Sequence, residues 1–337
     1  AQNDVSVAEF VRHRMGQEVL DRLVGPLVAG IYTADVEKLS LEATMAPISK
    51  MVQEHGSLFK ATLARRRNNQ DSTERESAGA RYARFRGFPG GMQDLIDALA
   101  DAIGDSSIRL NCAVGGLERD HGQPNGWTLQ LNDHVEQFDR VVLATPAPDP
   151  ARMLSSVSDS TQNEAGSVAA AELSSIESAS TAIVVLAVRK SLVDRLPDRF
   201  GFVVPQVENR RILAASFASH KYPIRCPEDH VIMRVFVGGA TQSELLSLSD
   251  EELISLVREE MHDLIGLNGE PSVARVVRWN DAMPQYHVGH LDRVRRIEES
   301  VAAVDGLDVM TNALRGVGIA PVVETARELA KSIAQDA

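Results

Sequence analysis

The sequence contains few cysteines and no long apolar segment. Only two of its 337 residues are cysteine, so we expect neither a disulfide framework nor a cysteine-rich metal site, and a reducing cytoplasm is the simplest compartment. The longest uninterrupted apolar run, Ala182 to Val188, is too short to cross a bilayer. No charged segment followed by an apolar one opens the chain as a secretory signal would.

The chain also lacks an excess of positive charge. Asp and Glu number 47 against 35 Lys and Arg, which gives a formal net charge of -12. Because nucleic-acid binding depends on clustered Lys and Arg, the composition argues against a nucleic-acid partner. With 44% hydrophobic and 24% charged residues, the chain is globular in composition, and its length fits about two domains.

Familiar catalytic signatures are absent from the sequence. There is no G-x-S-x-G nucleophile elbow, no H-E-x-x-H and no phosphate-binding P-loop. His287 and His290 are three residues apart, but a metal site needs three or four converging ligands and only Asp292 lies near them. We therefore predict a structural loop at these histidines and no metal site.

Apolar periodicity predicts helices in the first part of the chain and in several later segments. Ser6 and Glu9 have the spacing of a capping box, as do Ser249 and Glu252 before a helix that Gly266 ends. The predicted helical segments are 5–64, 92–103, 169–176, 249–265 and 322–333. The polar segment 65–80 predicts an exposed loop.

Short apolar runs predict strands that occur in blocks. The predicted strands are 108–114, 127–131, 140–145, 182–188, 200–204, 212–217, 231–237, 273–279 and 307–310. The block from 182 to 237 predicts a mostly antiparallel sheet. Because helices and strands interleave irregularly, the predicted fold class is mixed, α+β or α/β.

Two glycine clusters precede predicted helices. Gly90 and Gly91 open one helix, and Gly316, Val317 and Gly318 open the last. Helix N-termini present free N–H groups and the positive end of the helix dipole, which suit an anionic cofactor, and glycine allows close approach of a flat ring or a phosphate. A simple turn also requires such glycines, so the pattern alone leaves both interpretations open.

A series of short motifs resembles the protoporphyrinogen and coproporphyrinogen oxidase family of haem biosynthesis. In the family's order they are PLVAGIY (26–32), EKLS (37–40), EHGSL (54–58), GGMQDL (90–95), VVLATP (141–146), VFVGGA (235–240), WNDAMPQYHVGH (279–290) and GVGI (316–319). The stretch from Met283 to Tyr286 looks most like the bacterial branch that oxidises coproporphyrinogen III.

The resemblance implies a flavoprotein of the amine-oxidase-like superfamily. It implies FAD as cofactor, dioxygen as electron acceptor, and oxidation of coproporphyrinogen III to coproporphyrin III or of protoporphyrinogen IX to protoporphyrin IX. The implied parts are a helical domain for substrate and membrane docking (1–80), part of an incomplete FAD-binding domain (81–150), an antiparallel substrate-binding sheet (151–280) and a C-terminal FAD-binding segment (281–337). A cytoplasmic protein with peripheral membrane contact is expected.

The resemblance also implies roles for individual residues. The flavin contacts that it implies are Val114, Trp279, Val317, Gly318 and Ile319. The substrate contacts that it implies are Val203 and Phe236. No catalytic side chain is implied, because the cofactor performs the redox step. Valine is expected in any strand, so Val114 and Val203 are explained equally well as core residues.

The sequence departs from the family in one large respect. The family begins with a βαβ unit whose G-x-G-x-x-G cradles the FAD pyrophosphate, and no such motif occurs in these 337 residues. Thr311 also stands where the family usually has glycine. We expect a fragment of a longer protein or a natural truncation. The open alternatives are a porphyrinogen oxidase or its C-terminal part, a non-catalytic remnant that binds porphyrin or a partner, and another flavin oxidoreductase such as an amine oxidase or carotenoid desaturase.

Overall fold

The computed structural model describes residues 4–57, 60, 87–120, 126–157 and 163–336. The chain divides into two compact units, residues 1–44 with 114–337, and residues 45–113. The loop predicted over residues 65–80 lies outside the described residues. The division into four domains implied by the resemblance stays a prediction.

The N-terminal segment is helical, as its apolar spacing predicts. The Ser6 hydroxyl accepts a hydrogen bond from the N–H of Glu9 at 3.0 Å and so caps the first helix. A π-helical turn, Leu20–Val24, joins the second helix to the third, and a Cβ on Gly25 would lie 2.7 Å from the Leu20 carbonyl oxygen. The helices are α1 (Val7–Met15), α2 (Gln17–Val19), α3 (Gly25–Tyr32) and α4 (Leu41–His55).

The second unit contains α5 (Gln93–Ile103), the helix predicted after Gly90 and Gly91. The strand predicted over 108–114 is wrong except at Val114, because the backbone turns at residues 110 and 111. Asn111 has a φ of 59°, in the left-handed region that an extended strand does not contain.

Ten strands form three sheets in the described residues. They are β1 (Val114–Arg119), β2 (Trp127–Leu131), β3 (Val135–Phe138), β4 (Val141–Leu143), β5 (Ser178–Arg189), β6 (Gly201–Val203), β7 (Ala214–Phe217), β8 (His230–Gly238), β9 (Val273–Pro284) and β10 (Leu307–Val309). The first three make an antiparallel sheet, and β4 pairs in parallel with β10. The remaining strands form one antiparallel sheet in the order β6–β7–β8–β5–β9, which confirms the predicted antiparallel sheet.

The five-stranded sheet has one face covered by protein. This covered face carries Ala182, Val184, Leu186 and Val188 of β5, all fully buried. The next four helices in chain order are α6 (Pro148–Ser155), α7 (Asn163–Ser174), the short α8 (Ala218–Lys221) and α9 (Asp250–Ile265). The buried side chains of α9 share one core with the covered face, and those of α6 and α7 do not belong to this core. We call the opposite side, which carries Thr181, Ile183, Val185 and Ala187, the open face.

A second core joins the two smaller sheets to neighbouring helices. It contains Trp127, Leu143 and Leu307 together with side chains of α6, α7 and α10 (His290–Ala302). Helices α6 and α10 were not predicted, although Val294, Ile297 and Val301 of α10 have helical spacing and are buried. The last helix is α11 (Ile319–Asp336). Among the described helices, none combines the length and apolarity that crossing a bilayer requires.

Candidate functional site

The register of the five-stranded sheet gathers an apolar row on the open face. Ile183 pairs with Phe236 on one side and with Val277 on the other. Phe236 pairs with Ala214, which in turn pairs with Val203. Residues paired directly across strands share a face, so these side chains line up across all five strands. The structure therefore brings the predicted substrate residues Val203 and Phe236 into one row.

Trp279 lies beside this apolar row. It is two residues beyond Val277 on β9 and pairs with Thr181 of β5, so its side chain belongs to the open face. The indole is 53% exposed, whereas Trp127, the second tryptophan, is completely buried. A large exposed aromatic ring next to half-buried apolar side chains is a surface that a ligand can cover.

Helix α3 borders the β6 end of the row. A Cβ on Gly30 of this helix would lie 3.4 Å from the Val203 Cγ1 atom, so the helix backbone approaches that side chain closely. Near the middle of the row, the Arg234 guanidinium lies 5.5 Å from the centre of the Phe236 ring. The row is thus bounded by a helix at one end and bears a cation beside its aromatic residue.

The predicted flavin residues Val317, Gly318 and Ile319 lie at the N-terminus of α11, as the glycine pattern predicts. Gly316 has a φ of 75°, and a Cβ there would lie 2.4 Å from Pro321 Cβ, so this turn requires glycine. The surroundings of Gly318 are open, since its Cβ would meet only Pro321 Cδ at 3.6 Å. The first-turn N–H groups of an 18-residue helix present positive charge here.

Two side chains that sequence reasoning did not assign hold the loop before α11. The Tyr286 hydroxyl donates to the Asn312 carbonyl at 2.5 Å, and the ring stacks on His290 with centroids 3.9 Å apart. His290 Nε2 lies 3.0 Å from the Leu314 carbonyl oxygen. A carbonyl only accepts, so Nε2 carries the hydrogen. The loop that leads to Val317 is therefore tied to the segment that follows β9.

Burial determines the protonation states of His290 and Tyr286. It lowers the pKa of His290 to about 4 and raises the pKa of Tyr286 above its ordinary value. Nδ1 of His290 is buried without a hydrogen-bond partner. His290 is therefore neutral at pH 7 and its contacts explain it as a structural residue. No group of three or more His, Cys, Asp or Glu side chains converges in the part of the chain that the structure describes.

Val114, another predicted flavin residue, lies in a different sheet from Trp279. It pairs with Leu131 in the three-stranded sheet. It packs against the second core, which also contains Ala313 and Leu314 of the loop before α11. The structure thus groups Val114 with that loop through a shared core, and groups Trp279 with Phe236 and Val203 on the open face.

The open face and the N-terminus of α11 have the chemical character that binding of a flavin requires. The exposed Trp279 ring and the apolar row suit a flat aromatic system, and the N–H groups around Gly318 suit oxygen acceptors. The open space that a Gly318 Cβ would enter allows close approach of such a group.

Known proteins resemble this chain along most of its length. Residues 2–333 match the family described as flavin containing amine oxidoreductase. The chain is 29% identical to coproporphyrinogen III oxidase of Bacillus subtilis (strain 168), over 96% of this chain and 66% of that protein. It is 32% identical to coproporphyrinogen III oxidase of Propionibacterium freudenreichii subsp. freudenreichii, over 98% of this chain and 64% of that protein. The chain therefore spans just under two thirds of the length of these relatives.

Solved structures share the fold. A protein of Exiguobacterium sp. 255-15, provisionally named a protoporphyrinogen oxidase, superposes with a TM-score of 0.80 at 27% identity, over 100% of this chain and 68% of that one. A redesigned putrescine oxidase superposes with a TM-score of 0.66 at 16% identity, over 99% and 68% of the two chains, and shows the fold alone. The predicted mixed fold of the amine-oxidase type is confirmed.

Proposed function

Because the chain belongs to the flavin containing amine oxidoreductases, we propose that it forms the substrate-binding sheet and part of the flavin site of an oxygen-dependent porphyrinogen oxidase in haem biosynthesis. The substrate is coproporphyrinogen III or protoporphyrinogen IX. The names of the relatives support this substrate class. The observation that carries the proposal is the register that aligns Val203, Phe236 and Trp279 on the open face.

In this proposal the residues of the open face bind the porphyrinogen and take no part in the chemical step. Val203, Phe236 and Ile183 offer an apolar surface of the kind that a tetrapyrrole macrocycle covers, and covering it excludes water. A bound flavin supplies two-electron oxidation, with dioxygen as the final acceptor and hydrogen peroxide as its product. No acid–base side chain is required of this chain, which agrees with the structural role of His290.

We propose FAD as the flavin and five residues as its contacts. Trp279 packs against the ring, and Val317, Gly318 and Ile319 bring the backbone N–H groups at the start of α11 to its polar atoms. Val114 stays a proposed contact that reaches the flavin from the neighbouring sheet. These assignments depend on close approach at Gly318.

We further propose a cytoplasmic protein that touches a membrane through its N-terminal helices. Leu23, Leu27 and Ile31 recur every four residues and are exposed, which supports a lipid-facing side. Co-sedimentation with phosphatidylglycerol vesicles measures this contact. Replacing all three residues by serine is expected to abolish it, and unchanged sedimentation of that variant would refute it.

The flavin assignment is tested by reconstituting the chain with FAD and recording its absorption spectrum. Gly318→Asp places a carboxylate where the cofactor approaches, so we expect about a tenfold or greater loss of bound FAD. Ala330→Asp adds the same charge at an exposed position of α11 and is expected to retain FAD. Equal FAD content in the two variants would contradict the assignment.

The substrate class is tested by following porphyrin fluorescence after adding coproporphyrinogen III to the FAD-loaded protein. Appearance of coproporphyrin III supports the proposal. A chain that binds porphyrin but takes up no FAD would instead be a non-catalytic remnant. A chain that holds FAD but leaves the porphyrinogen unchanged would be a different flavin oxidoreductase.

A further inference from the structure

Two arginines lie next to the apolar row on the open face. Arg234 precedes Phe236 by two residues on β8, and Arg275 precedes Val277 by two on β9. Both pair with Val185 of β5, one from each side. Because Val185 belongs to the open face, the two guanidinium groups flank it on that face, one residue pair away from the apolar row.

Both arginines have exposed side chains and form no ion pair with a carboxylate in the described part of the chain. Arg278 of the same strand β9 is different, since its guanidinium binds Asp250 and the carbonyl oxygens of Leu246 and Leu248. Arg278 thus has a structural role that Arg234 and Arg275 do not share. In a chain with a net charge of -12, two unpaired arginines beside an apolar row are a local positive site.

A third cation lies near Arg234. Burial, and next the charge of Arg234, lowers the pKa of Lys221 at the end of α8. The positive charge around Arg234 therefore comes from more than one element of the fold, namely β8 and α8.

The spacing of these groups matches a ligand with an apolar body and anionic arms. From Trp279 to Arg275 is four residue steps along β9, about 13 Å at the rise of a strand. The apolar row lies between them. A ligand whose oxidised part is near Trp279 would therefore extend across Phe236 and Ile183 and place its far side chains at the arginines.

We propose that Arg234 and Arg275 bind the carboxylates of two propionate side chains of the porphyrinogen. This inference rests on the proposed function and adds the residues that recognise the substrate's charged groups. The planar guanidinium presents paired N–H donors that match a carboxylate, and such charge-assisted bonds are stronger than neutral ones. The arginines thereby orient the macrocycle so that its opposite side faces Trp279.

The test is a fluorescence titration of the full chain with coproporphyrin III in the absence of flavin. Each substitution removes charge-assisted hydrogen bonds to a carboxylate. Arg234→Gln and Arg275→Gln should therefore each weaken coproporphyrin III binding about tenfold, and the double variant should weaken it about a hundredfold. Binding of the uncharged coproporphyrin III tetramethyl ester should be the same in all these proteins. The double variant Arg195→Gln/Arg327→Gln removes the same charge from exposed positions elsewhere and should bind like the parent.

The outcomes separate this inference from the proposed function. If the parent binds coproporphyrin III and the double variant binds it equally well, the arginines have no such role while porphyrin binding stands. If removing the arginines weakens binding of coproporphyrin III and of its tetramethyl ester alike, the substitutions act on folding or packing and the inference is wrong. If the parent binds neither porphyrin, both the proposed function and this inference fail.

Discussion

The two faces of the five-stranded sheet are built from the same strands but have different surroundings. On the covered face, Val184, Leu186 and Met233 are fully buried against α9. On the open face, the neighbouring Ile183, Val185 and Ile232 are half-buried, and Trp279 is mostly exposed. Both faces carry apolar side chains, so apolar character alone does not distinguish a stability surface from a proposed binding surface. What distinguishes them is whether the protein itself covers the face.

The largest expected difference between the faces is in stability. Met233→Ala leaves a cavity beneath α9 and should lower the free energy of unfolding by about 2 to 5 kcal/mol. Ile232→Ala, at the adjacent position on the open face, should cost less than about half as much because the side chain is already partly in water. Urea unfolding followed by circular dichroism measures both. Equal losses would mean that the open face is also part of the core.

The stability of the protein should depend on pH through His290, which holds the loop before α11. Burial keeps the pKa of this ring at about 4 in the folded state, against 6.5 in an unfolded chain. The unfolded chain therefore takes up a proton first, and stability is lost as pH falls from 6.5 towards 4, by up to roughly 3 kcal/mol.

His290→Gln isolates this effect. The Gln amide can donate to the Leu314 carbonyl but does not titrate in this range. Unfolding free energies at about pH 7 and about pH 4.5 should therefore differ less in the variant than in the parent. His287, whose pKa burial also lowers, contributes equally to both proteins. The same pH dependence in parent and variant would show that His290 is not the group responsible.

Phe236→Ala should affect binding more than folding. Its ring is half-buried on the open face, so the loss of unfolding free energy should be about 1 to 2 kcal/mol, below that of Met233→Ala. Porphyrin affinity should fall about tenfold or more, since the aromatic surface of the row is removed. Insoluble protein, or unchanged porphyrin affinity, would place Phe236 in the core instead.

The smallest expected effect is at the cap of α9, the helix over the covered face. The Ser249 hydroxyl accepts from the N–H of Glu252 and the Glu252 carboxylate accepts from the N–H of Ser249. Ser249→Ala removes half of this capping box and should cost about 1 kcal/mol. Ser255→Ala makes the same change at an exposed position within the helix and should cost nothing. Porphyrin binding should be unchanged in both variants.

Local features of the fold were readable from the sequence. The helix cap at Ser6, the capping box at Ser249, the end of α9 at Gly266 and the strands of the antiparallel sheet are where periodicity and turn residues predict them, although Glu9 does not complete a capping box with Ser6 as Glu252 does with Ser249. These features depend on residues a few positions apart. Helix α10 was missed because charged residues separate its apolar positions, although its spacing was helical.

The site was readable only in part, because it depends on register. Arg234 and Phe236 are two residues apart on β8 and therefore share a face, as do Arg275, Val277 and Trp279 on β9. The sequence of a single strand does not reveal which of its two faces the protein covers. The run from Ala182 to Val188 is apolar on both faces, so it gave no sign of two different surfaces. Likewise, nothing local links His290 to the Leu314 carbonyl, 24 residues later.

An irregularity between β5 and β9 determines where the chain tolerates a change of length. From Trp279 to Met283 β9 uses four residue steps, whereas its partner uses two, from Thr181 to Ala179. The surplus backbone loops out at Asp281, whose φ is 47° and whose N–H is held by the Ser180 hydroxyl. A deletion at Asp281 shortens this loop and leaves the pairing of β5 with β9 intact on both sides of it. A deletion at Val276 would instead shift the register by one residue, so Arg275 would turn from the open face to the covered face, towards α9.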